Sequence, residues 1–108
     1  MLTGFPEAID RNRELASIPY AIRNAYGDAA IPFLEAGLKG SQYDRVRANC
    51  ARELIILGRP SGFAFVADAI QGNRPYKPEI VQFVRDRFPE LKSADEGSVL
   101  AFIKPRAI

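Results

Sequence analysis

The sequence predicts an all-α chain built from repeated helix pairs, and three observations carry this. AIPFLEAGLKG (Ala30 to Gly40) aligns without gaps on GFAFVADAIQG (Gly62 to Gly72), an offset of about 32 residues. Within each segment apolar residues recur at helical spacing, Ile31, Leu34 and Leu38 and then Phe63, Val66 and Ile70. Nowhere does a period-two alternation of apolar and polar residues persist long enough to suggest a strand.

In chain order, a short leading helix is expected from about Pro6 to Ala16, its Pro and Glu suited to a first turn. LASIPYAIRNAYGD (Leu15 to Asp28) reads as a second-type helix one repeat before Cys50 and Leu54. Gly27 then supplies a break and Asp28 a structural N-cap for the helix that Pro32 enters early. Gly40 and Gly72 are expected to stop the two aligned helices in the left-handed conformation. Each is followed by a second helix, YDRVRANCARELIILG (Tyr43 to Gly58) and YKPEIVQFVRDRFPEL (Tyr76 to Leu91). Their stripes are Val46, Cys50, Leu54, Leu57 and Ile80, Val84, Phe88, Leu91, and Pro89 should end the second near Phe88. Asp95-Glu96 opens a third first-type helix, ADEGSVLAFIKPR, with Leu100 in the place of Leu34 and Val66.

The parsing is therefore one domain over residues 1–108, with complete repeats at 27–58 and 58–91 and partial or capping helices at 5–26 and 94–108. One helix pair cannot bury both of its apolar stripes, so neighbouring pairs must stack into an extended surface.

GDAAIPFLEAGLKG followed by DRVRANCARELIILG resembles HEAT and HEAT-like repeats, including the phycobilisome-lyase type, in its early proline, its Val-Arg pair and its closing Leu-Gly. The second module departs from the pattern, with Ile80-Val81 where a Val-Arg pair would stand. The resemblance implies a right-handed, armadillo-like α-solenoid of about three antiparallel helix pairs, whose second helices line a concave partner-binding surface. It also implies that Arg47 braces adjacent repeats.

Composition narrows the chemistry. The chain has 108 residues, no His and one Cys, and a formal net charge of +2. A nucleophilic Cys usually needs a base or a positive field, and its commonest base is missing. Cys50, on an apolar stripe, is therefore read as structural. With one Cys and no His, only carboxylate-type metal sites remain, and no loop has EF-hand spacing. No phosphate-binding glycine loop is present. The expectation is a protein that is not an enzyme and has no cofactor and no metal. The longest aliphatic run, Leu54 to Leu57, is too short for a membrane span, and a single Cys makes a reducing compartment the simpler assumption, so a cytoplasmic location without membrane contact is expected.

Tyr43, Arg45, Arg52, Tyr76, Lys77 and Arg85 cluster on the two second helices, a composition suited to a protein hot spot. The reading that follows is a non-catalytic scaffold for protein–protein interaction, with nucleic-acid binding through the same basic residues as the alternative. The apolar SVLAFIKPRAI at residues 98–108 further predicts exposed apolar surface at that end, and hence self-association or continuation into a longer array.

Overall fold

A computed structural model describes residues 17–74 and 76–108. The helix expected at Pro6 to Ala16 lies outside the described residues. Among those described there is no strand. Residues 17–26 are helical (α1), and a 3-10 turn at Gly27–Ala30 leads into α2 (Ile31–Gly40). Then follow α3 (Asp44–Ile56), α4 (Pro60–Gln71), α5 (Lys77–Arg87), a 3-10 turn at Pro89–Leu91, α6 (Glu96–Ile103) and a last 3-10 turn at Lys104–Ala107. None of these helices is long and apolar enough to cross a membrane.

The core is one cluster threaded through every helix from α2 to α6. Leu34, Leu38, Cys50, Leu54, Phe63, Val66, Ile70, Ile80 and Val84 are all buried, as the helical stripes require. Helix α3 packs against both α2 and α4, and α4 also meets α6 and the last 3-10 turn. The α3–α4 contact is tight at Gly62, where a Cβ would stand 2.6 Å from the Ala51 carbonyl oxygen. A Cβ on Gly37 would stand 2.8 Å from the Cys50 Sγ, so α2 also approaches α3 closely. Polar contacts also join helices distant in sequence. Ser61 donates to Glu35 at 2.9 Å, linking α4 to α2, and Arg23 of α1 donates to the buried Glu53 of α3.

Punctuation departs from expectation in three places. Asp28 is not a side-chain cap: it lies inside the 3-10 turn, and the residue at the N-cap of α2 is Ala30, which has no side chain to offer. Pro32 enters α2 early, and the turn before it supplies the Asp28 carbonyl to the Ile31 N–H instead. Gly40 and Gly72 are not left-handed; the positive φ values fall at Gly27 (57°), Gly58 (75°) and Asn73 (53°). After α4 it is therefore Asn73, one residue on, that makes the turn. Finally, Leu100 is only partly buried, and the positions that α6 buries completely are Val99 and Ile103.

The apolar residues at 98–108 divide. Val99 and Ile103 are fully buried and Leu100 and Phe102 pack on the core, whereas Ile108 is 97% exposed, so the expected exposed apolar surface is confined to a small part of that end. Phe88 accounts for part of this, since its ring lies between those of Phe63 and Phe102, at 6.2 and 4.9 Å.

Candidate interaction surface

Arg45, Asn49 and Arg52 sit at i, i+4 and i+7 along α3, which places them on one helical face. Opposite them, the start of α5 contributes Tyr76, Glu79 and Ile80. Between the two helices lies a groove of about 360 Å³, lined by these residues together with Asp44 and Ala48.

Several of its walls are held in place. The Arg52 guanidinium lies 4.8 Å from the Phe83 ring centroid and donates to the Asn49 Oδ1 at 3.4 Å. The Tyr76 ring stacks almost parallel on Phe65, with centroids 6.2 Å apart. Burial and the nearby Asp44 push the Tyr76 hydroxyl above its ordinary pKa, so it remains a neutral donor and acceptor. Asp44 is paired with Arg47 at 2.7 Å. Of the charged residues lining this groove, Arg45 on one wall and Glu79 on the other have no ion-pair partner among the described residues.

Of the six residues that sequence reasoning assigned to a partner, three meet here: Arg45, Arg52 and Tyr76. The other three do not. Tyr43 lines a different cavity, of about 410 Å³, with Ile18, Phe33, Val46 and Cys50. Lys77 binds Glu96 at 3.0 Å, and Arg85 donates from Nε to the Ala94 carbonyl at 2.9 Å. Both tie α5 to α6 or to the segment leading into it. Arg47 pairs within its own helix and its Nε has no hydrogen-bond partner among the described residues; ion pairs that do join helices among those residues are Arg23–Glu53 and Lys77–Glu96. Asn49 and Glu79 were missed, although the i, i+4, i+7 spacing with Arg45 and Arg52 was a usable signal for Asn49.

Cys50 is 3% exposed, and burial followed by the neighbouring Glu53 pushes its thiol up to about 11. At neutral pH it is a thiol packed against Gly37, with the polarity of a small apolar side chain. Among the described residues no three His, Cys, Asp or Glu side chains gather as a metal site would require.

At the α1–α2 edge the surface is apolar: Tyr26 and Phe33 are each 67% exposed, and Ile18 is 43% exposed. No family model, curated protein or solved structure matches the chain.

Proposed function

We propose that this chain is a non-catalytic helical-repeat module of HEAT-like, solenoid architecture that binds another protein along the groove between α3 and α5. The solenoid reading draws support from the alternation of first and second helices and from contacts between like helices. Glu35 of α2 meets Ser61 of α4, and Arg52 of α3 meets Phe83 of α5.

The observation that carries the choice of partner is the mixed charge of the groove. Arg45 and Arg52 face a wall bearing Glu79, and Asp44 lines the same groove. A duplex backbone presents one negative charge per phosphate, and carboxylates within its binding surface oppose it. A protein surface can match both signs, and Tyr76 supplies a rigid amphipathic anchor between them.

A photo-crosslinking residue at Asn49 tests this. Crosslinks to a discrete polypeptide that survive nuclease treatment and vanish in Arg45→Glu/Arg52→Glu are expected. A salt-dependent shift of a labelled duplex, abolished by the same substitutions, would instead establish nucleic-acid binding and overturn the reading.

A further inference from the structure

Beyond the groove, the end of the molecule where α3 and α5 finish carries two arginines that no carboxylate answers among the described residues. Arg87, in the last turn of α5, and Arg106, in the final 3-10 turn, line an open cleft of about 420 Å³. Its apolar lining is the partly exposed Ile56 and Phe88 together with the buried Ile55 and Phe63. Arg23, Arg47, Arg74 and Lys77 each meet an Asp or Glu elsewhere in the molecule. The residues lining this cleft include no acid.

Arg106 is held in place. Its Nη1 donates to the Phe102 carbonyl at 2.6 Å, and its guanidinium lies 3.6 Å from the Phe102 ring centroid. A guanidinium carries five N–H donors, so one bond to a carbonyl leaves most of them for a ligand. Arg87 is exposed at the rim and has no ion-pair partner among the described residues. Two cations beside an aliphatic and aromatic floor complement a carboxylate joined to a large apolar group, because the charge-assisted bonds and the apolar contact act on adjacent parts of one ligand.

We infer that this cleft docks a partner peptide in which an acidic residue adjoins a large apolar one, the apolar side chain resting on Ile56 and Phe88 and the carboxylate shared by Arg87 and Arg106. The cleft's openness to solvent lets a polypeptide run across it. The assignment uses none of the groove residues Arg45, Arg52 or Glu79, and stands independently of the function proposed above.

Selection of a displayed random-peptide library on the whole chain tests it. Enriched peptides should pair Asp or Glu with a neighbouring Leu, Ile, Met or Phe. Their fluorescence anisotropy should report binding at least about tenfold weaker to Arg87→Ala/Arg106→Ala, and unchanged binding to Arg45→Ala/Arg52→Ala. Because Arg106 also holds a backbone carbonyl, Arg87→Glu alone serves as the second variant and should weaken binding comparably. Enrichment without an acidic residue, or binding indifferent to both arginine variants, would overturn the assignment. So would arginine-dependent binding of dodecanoate with no peptide enriched, which would make the cleft a site for free alkyl carboxylates.

Discussion

Phe33 and Phe65 hold equivalent places in the two aligned helices, yet Phe33 stands 67% exposed while Phe65 is half-buried and stacked on Tyr76. The same contrast runs through both helix pairs. The second pair is closed by α6 and the last 3-10 turn, which pack against α4, with α6 also meeting α5; Val66 and Val84 of this pair are fully buried. The first pair is bounded by α1, which leaves Ile18, Tyr26 and Phe33 at an apolar edge. Two aligned sequence segments therefore both fold as helices without sharing an environment. What lies beyond a residue decides whether its side chain acts as core or as surface.

The sharpest way to break the comparison is at the glycines. Gly62→Ala forces a Cβ onto the Ala51 carbonyl, a backbone atom that cannot rotate aside, and should cost about 3 kcal/mol in urea unfolding. Gly40→Ala meets nothing within 4 Å and should stay within about 0.5 kcal/mol of the parent. Equal effects at the two positions would mean that α3 and α4 are not pressed together.

Chemical access separates the inner face of the first pair from its open edge. A thiol pushed up from 9.0 to about 11 has about a hundredfold less thiolate at pH 8 than an ordinary one. Alkylation of Cys50 should accordingly be at least that much slower in the native protein than in urea. Rapid native labelling would show that the apolar edge at Phe33 opens as far as Cys50.

Truncating the paired phenylalanines tests the contrast itself. Phe65→Ala loses its stack on Tyr76 and should cost about 2 kcal/mol, against under about 0.5 kcal/mol for Phe33→Ala, both read from thermal or urea unfolding. A large loss at Phe33 would mean that the edge is covered in solution.

The smallest effect concerns how α6 closes the second pair. Asp95 accepts from the Ser98 backbone N–H at 2.7 Å, and the Ser98 bonds hold its carboxyl below the ordinary aspartate value. A depressed folded value stabilises above the unfolded pKa, and the contribution fades as pH falls through the folded one. The stability gap between the parent and Asp95→Ala should thus be widest near neutral pH and narrow steadily in acid. A gap that widened in acid would contradict the cap.

How much of this was legible depended on whether a feature is encoded locally. The helices α2 to α5 could be read because Leu34, Leu38, Leu54, Val66 and Ile80 repeat at a period that only a helix satisfies. Pro89 ended α5 at the expected place because a proline acts on its immediate neighbour. The bonds that Lys77 and Arg85 make within the chain could not be read because Glu96 and Ala94, the groups they hold, lie 19 and 9 residues ahead, outside any helical repeat. The register of α6 slipped by one residue for a related reason. Val99, Leu100, Phe102 and Ile103 surround most of that short helix, so its apolar pattern alone selects no single face. The open edge at Tyr26 and Phe33 was hidden because Phe33 and Phe65 both lie off the apolar stripes of their helices, so only what packs beyond them decides their exposure.

The ring series Phe63, Phe88, Phe102, with the Arg106 guanidinium laid against its last member, has an optical consequence. The chain has no tryptophan, and the last of its four tyrosines is Tyr76, so the closing end is built from rings that contribute almost nothing to emission. Fluorescence would follow the α1 edge and the groove while remaining blind to a detachment of α6. Circular dichroism would register that loss of helix. A mismatch between the two signals on heating would then mark the closing helix leaving first.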